Sequence, residues 1–130
     1  MTAFIFIVDD NPLNLKLACD VLEFEGYTIG KAADAEEAQE ILQHTMPDLI
    51  LMDIALPGMD GLTLTRKLKA DPRLHNVPIV AMTAFAMKGD DRKALEAGCD
   101  GYITKPIDTR KLAQQVAGFL QVSAERGDVH

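Results

Sequence analysis

The chain has 130 residues, 48% of them hydrophobic and 25% charged, and a formal net charge of −7. That length supports one sizeable core rather than two ordinary domains, and the acidity works against unaided binding to nucleic acid, where clustered Lys and Arg must displace counterions from phosphates. The apolar start from Met1 to Val8 has no basic leader, no apolar run approaches the ~20 residues of a membrane span, and Cys19 and Cys99 are too far apart for a metal knuckle or redox pair. The expectation is one soluble cytoplasmic domain with two free thiols, without membrane contact.

The elements alternate in type along the chain, as βαβ units do. Ala3 to Val8 is a continuous apolar run suited to a strand buried on both faces. Asn11 and Pro12 then start a helix as N-cap and first helical residue, with Leu13, Leu17, Val21 and Phe24 read as its inward face and Gly26 as its terminator. Tyr27 to Lys31 is a weaker second strand. Asp34 and Glu37 form a capping-box-like start to a helix through about His44, with Ala38, Ile41 and Leu42 inward. Leu49 to Met52 is the most apolar strand, hence central, and it ends at Asp53.

Pro57 to Gly61 is dense turn chemistry, followed by a third helix with Leu62, Leu64 and Leu68 that stops before Pro72. Val77 to Met82 is the fourth strand, ending at Thr83. The helix expected over Phe85 to Ala97 is weak, interrupted by Gly89 and thin on its apolar face, and should be the most labile of the domain. Gly101 to Ile103 makes a short fifth strand, Asp108 caps a last helix carrying Leu112, Val116, Phe119 and Leu120, and Ser123 to His130 reads as a frayed polar tail. The domain is therefore expected to span residues 1–122.

Asp9, Asp10, Asp53, Thr83 and Lys105 each lie at or just beyond the carboxyl end of one of these strands. In one parallel sheet those ends share an edge, where open α/β sheets place their ligands. Singly, each residue has an ordinary explanation as a helix cap, a strand end or a solvated charge. Those explanations do not account for all five falling at the same end. Clustered carboxylates repel unless a cation neutralises them, and Mg²⁺ with carboxylate, water and phosphoryl oxygens suits the set. Asp53 can then serve as a nucleophile that takes a phosphoryl group, with Lys105 and Thr83 as charge and hydroxyl partners for its oxygens.

Rival chemistries fit less well. A dinucleotide or P-loop site needs a Gly-rich turn after the first strand, where this chain has Asp9-Asp10-Asn11-Pro12. A haloacid-dehalogenase-like phosphatase needs a second Asp two residues after the nucleophile, and Ala55 stands there.

From Phe4 to Leu120 the sequence resembles the receiver domain of two-component response regulators. The resemblance rests on Asp9-Asp10, Pro47 to Asp53 followed by Leu56 to Gly61, Thr83-Ala84, and Gly101 to Pro106. Residues Thr83 to Asp90 are especially similar to DivK-like single-domain regulators and to receivers of hybrid histidine kinases.

The resemblance implies a flavodoxin-like, doubly wound (βα)5 sheet of strand order 2-1-3-4-5. Asp53 would be the phosphoacceptor. Asp10 and the backbone carbonyl of Ala55 would be direct Mg²⁺ ligands, with Asp9 acting mostly through water. Thr83 and Lys105 would bind phosphoryl oxygens, Thr83 and Tyr102 would act as a switch pair, and the Lys105-Pro106 peptide would be cis. Ala55 and Phe85 would flank the hydrolytic water, and Met87 and Lys88 would be candidate partner contacts.

His44, His75 and His130 do not resemble a kinase phosphoacceptor site, so a sensor histidine kinase or histidine phosphotransfer protein is the implied donor. The signal would pass by protein contact through the fourth helix, fifth strand and last helix. The protein would be a monomer or weak dimer and no turnover enzyme on an external substrate. With no room for a second domain, it is not expected to be a transcription factor. A non-phosphorylated adaptor, a metal-dependent phosphatase and a receiver excised from a longer hybrid kinase are the alternatives.

Overall fold

The computed structural model describes residues 3–54, 56, 59–83, 90–105 and 107–127, and of residues 90, 91 and 122–127 the backbone alone. The elements are β1 (Phe4–Val8), α1 (Pro12–Phe24), β2 (Thr28–Ala32), α2 (Ala35–Leu42), β3 (Leu49–Asp53), α3 (Gly61–Ala70), β4 (Ile79–Thr83), α4 (Asp90–Ala97), β5 (Gly101–Thr104) and α5 (Thr109–Gly127). All strand pairs are parallel and the five-stranded sheet runs β2-β1-β3-β4-β5. The expected α/β architecture and strand order are therefore present.

The sheet is covered on both faces, which explains why its strands read as continuous apolar runs rather than alternating ones. Phe6, Val8, Ile50, Met52, Ile79 and Ala81 point to one side, against Ala38 and Leu42 of α2, Leu64 and Leu68 of α3 and Ala94 of α4. Ile5, Ile7, Leu49, Leu51, Val80 and Met82 point to the other, against Ala18, Cys19 and Leu22 of α1 and Leu112 and Val116 of α5. Every residue of β3 is buried, as its composition predicts for the central strand.

Local signals hold where side chains close hydrogen bonds. Asn11 caps α1 by accepting from the Leu13 and Asn14 amides at 3.0 and 3.2 Å. Asp34 accepts from Glu37 N at 2.8 Å, and the Glu37 carboxylate reaches back to the Ala33 amide at 3.0 Å, one residue earlier than a standard capping box. Gly26 and Gly98, which end α1 and α4, both have positive φ, 97° and 109°.

Two expectations need correction. The buried stripe of α1 is Ala18, Cys19 and Leu22 with Leu15 and Val21 beside it. Leu13 and Phe24 are 74% and 89% exposed and Leu17 is also exposed. This helix carries apolar residues on two stripes, and helical spacing alone does not say which one meets the sheet. The expected polar tail is also partly helical, since α5 runs to Gly127. Ser123 to Arg126 contains no breaker, so the helix continues until glycine. Among the described residues, no helix is long and apolar enough to cross a membrane.

Candidate functional site

Strand register brings the site together. Val8 of β1 lies opposite Met52 of β3, Asp53 opposite Met82 of β4, and Thr83 opposite Thr104 of β5. One further residue on β1 puts Asp9 beside Asp53, and one further residue on β5 puts Lys105 beside Thr83. Backbone bonds carry the ladder past the strand ends: Asp9 N donates to Ala32 O at 3.1 Å, Ile54 N to Met82 O at 3.2 Å and Lys105 N to Thr83 O at 2.7 Å. Asp9, Asp53 and Thr83 are buried, whereas Asp10 is exposed at the rim.

Charge is concentrated here. Carboxylate oxygens of Asp9, Asp10 and Asp53 lie within 4.8 Å of one another. The Lys105 ammonium bridges two of them, 2.9 Å from Asp9 Oδ2 and 3.1 Å from Asp53 Oδ2. Asp9 Oδ1 accepts from the Asn11 amide at 2.9 Å. Asp9 Oδ2 is buried and, among the described residues, receives no well-directed hydrogen bond, so the Lys105 charge is what compensates it.

Burial pushes the Asp9 carboxyl above its ordinary value of 3.8, against the lowering pull of the Asn11 amide and of Lys105. Burial alone would lower the Lys105 ammonium, but Asp9 and Asp53 outweigh it and hold the group above 10.5. Three carboxylates and one ammonium leave an excess of two negative charges. Such a cluster, with one rim acid and one under-bonded buried oxygen, fits a small divalent cation ligated by oxygen.

The start of α3 is held close to this cluster. Asp60 caps α3 by accepting from Thr63 N at 2.8 Å, and Gly61 N donates to Ile54 O at 3.2 Å. A Cβ on Gly61 would overlap the Asp53 carbonyl oxygen and lie 2.7 Å from Ile54 Cα. Sequence reading marks Gly61 only as a turn residue; its closeness to Asp53 is a tertiary fact. It also misses a second anchor at the opposite end of the sheet, where Lys69 of α3 pairs with Asp100 at 3.0 Å.

Asp9, Asp10, Asp53, Thr83 and Lys105 therefore share one sheet edge as expected. Tyr102 lies on edge strand β5 and is 44% exposed. Ala55, Pro106, Phe85, Met87 and Lys88, expected as a ligand, a cis peptide and site or partner contacts, fall outside the described residues.

A family model described as the response regulator receiver domain matches residues 5–117. The chain belongs to that family. Over 120 residues it is 42% identical to the polar-differentiation response regulator DivK of Brucella ovis, a match spanning 92% of this chain and 98% of that protein. Among solved structures, a response regulator from Chloroflexus aurantiacus superposes with TM-score 0.89 at 30% identity, covering 93% of this chain and 99% of that one. The receiver domain of a sensor histidine kinase from Pseudomonas aeruginosa, with a magnesium ion coordinated in its active site cleft, superposes with TM-score 0.85 at 33% identity, covering 93% and 99%. The receiver domain of a signal transduction histidine kinase from Syntrophus aciditrophicus gives 0.84 at 36%, covering 92% and 91%. The receiver and DivK-like resemblances are thus borne out. The phosphoacceptor role is general for this family of signalling domains.

Proposed function

We propose that this chain accepts a phosphoryl group on Asp53 from a phosphohistidine of a sensor histidine kinase or phosphotransfer protein, and signals by protein contact. The observation that carries this reading is the Lys105 ammonium bridging Asp9 and Asp53 inside a three-carboxylate cluster. A buried strand-end carboxylate is held beside a cation, and phosphoryl transfer chiefly requires positioning and charge neutralisation.

In the proposed step an Asp53 oxygen attacks phosphorus as the bond from phosphorus to the donor nitrogen breaks, and the electron pair leaves with the imidazole. Lys105 offsets charge on the transferred oxygens as a point cation on a long stem, and Thr83 offers its hydroxyl to them. Asp9, Asp10 and Asp53, with the Ala55 carbonyl, would hold Mg²⁺, which supplies a second positive charge for the phosphoryl oxygens. The product carries about two negative charges in place of one. We assign its readout to Thr83 and Tyr102 and to the α4-β5-α5 face, where Leu95 and Tyr102 are exposed.

The domain, expected from the sequence to end at residue 122, is taken to include the whole of α5 to Gly127, to act in the cytoplasm as a monomer or weak dimer, and not to turn over an external substrate. A second reading, that the sequence is the receiver portion of a hybrid kinase, is favoured by its likeness to the two kinase receiver domains over more than nine-tenths of its length.

The test is intact mass after incubation with Mg²⁺ and a small acyl phosphate, with Asp53→Asn and metal-free controls. A single phosphoryl adduct on wild type alone, and only with metal, is expected. Absence of an adduct with both small donors and phosphohistidine donors would reject the reading in favour of a non-phosphorylated adaptor. Release of phosphate from an added phosphoester would favour a phosphatase.

A further inference from the structure

Lys105 sits at the head of β5, a short edge strand of four residues. Short edge strands with little side-chain burial specify their register weakly. In β5 only Ile103 is buried. One backbone bond, Lys105 N to Thr83 O at 2.7 Å, ties the strand at this end, and a side-chain clamp ties it at the other. Asp100 N donates to Ile79 O at 2.7 Å, and Asp100 Oδ2 accepts from Ile79 N at 2.9 Å, so one residue engages both backbone polar groups of the first residue of β4.

The same oxygen takes Lys69 Nζ at 3.0 Å. Lys69 also donates to Val77 O at 2.8 Å and to His75 O at 3.3 Å, which uses its three N–H donors. This pair is mostly buried, unlike an ordinary surface ion pair. The turn into β5 rests on the same side chain, since a Cβ on Gly98 would lie 3.0 Å from Lys69 Cγ.

We infer that Lys69 and Asp100 are positioning residues for phosphoryl transfer: their clamp fixes β5 against β4 and thereby sets the place of the Lys105 ammonium beside Asp53. The pair itself is remote from the reacting atoms, about five residues of extended chain or ~17 Å along β5. This role rests on the proposed phosphoacceptor function. Its signature follows from Lys105 having two electrostatic duties. The ammonium helps transfer, but it also occupies the negative field that attracts a divalent cation, standing within 3.1 Å of two of the carboxylates. Letting it drift slows transfer and strengthens cation binding.

The experiment compares wild type, Lys69→Met and Asp100→Asn. Mg²⁺ affinity is read by calorimetry, since the chain has no Trp to report it, and initial phosphorylation rate is read by intact mass at saturating Mg²⁺. For Lys69→Met we expect the rate to fall roughly tenfold, as small misplacements do, and Mg²⁺ to bind about threefold more tightly, as loss of a nearby cation requires. Asp100→Asn keeps an acceptor oxygen for Ile79 N and should show a smaller version of both. Unchanged values overturn the inference. So does a parallel loss of rate and Mg²⁺ affinity, which is what general loosening produces. A wild type that takes up no phosphoryl group from any donor rejects the underlying function instead, and the positioning role with it.

Discussion

The two halves of the site are built differently. Asp9 and Asp53 extend from β1 and β3, the interior strands whose residues are buried almost without exception, so their places are set by the core. Thr83 ends β4, which is buried throughout like β3, but Lys105 comes from beyond β5, an edge strand beside α4, which buries Ala94 and Ala97 as its described apolar contacts. There, hydrogen bonds and the Lys69–Asp100 pair do what large side chains do in the interior. The acidic half is therefore expensive to disturb and the cationic half adjustable.

The sharpest way to break this contrast is Gly61→Ala. Its methyl would overlap Asp53 and Ile54 backbone atoms, which cannot swing aside as a side chain can. A loss of about 3 kcal/mol in urea unfolding is expected. An unchanged midpoint would mean that the acidic half is softer than its burial suggests.

Gly98→Ala probes the other half. Its φ of 109° and the Lys69 stem both oppose a side chain, for a cost of about 1–2 kcal/mol. Hydrogen exchange should show the loss mainly in α4 and β5, with β1 and β3 protected as before.

Asp9→Asn is expected to act in the opposite direction. The carboxyl of Asp9 is held above 3.8 by burial, so the folded state binds its proton more tightly than the unfolded chain does. That contribution is fully present below the ordinary value and is lost as pH rises through the folded one. At neutral pH the ionised group is a burden, and the metal-free variant should gain about 1 kcal/mol, or roughly 3–5 °C in melting temperature. The gain should vanish in acid and shrink with added Mg²⁺. Lys105, held above 10.5, gives the complementary alkaline signature: its stabilisation is present below 10.5 and lost as pH rises through the folded value.

The smallest effect is expected from Phe24→Ser. Phe24 is 89% exposed, and the change should stay within about 0.5 kcal/mol, whereas Leu22→Ala on the buried stripe should cost about 2–4 kcal/mol. Thermal melts of the two variants would check the corrected orientation of α1.

Local sequence signals were enough for the alternation of strands and helices, the caps at Asn11 and Asp34, and the set of five polar residues at strand ends, whereas the Asp60 cap was legible only as turn chemistry. These are local matters: a cap closes a hydrogen bond within three residues, and a strand buried on both faces must be apolar throughout. The sequence did not determine which stripe of α1 meets the sheet, because two stripes have helical spacing and only contact with β1 and α5 chooses between them. Nor could it disclose that Gly61 abuts Asp53 or that Lys69 meets Asp100, thirty-one positions away. Those contacts exist only once parallel strands are in register. Register depends on burying the whole apolar set at once, so the tertiary structure alone decided them.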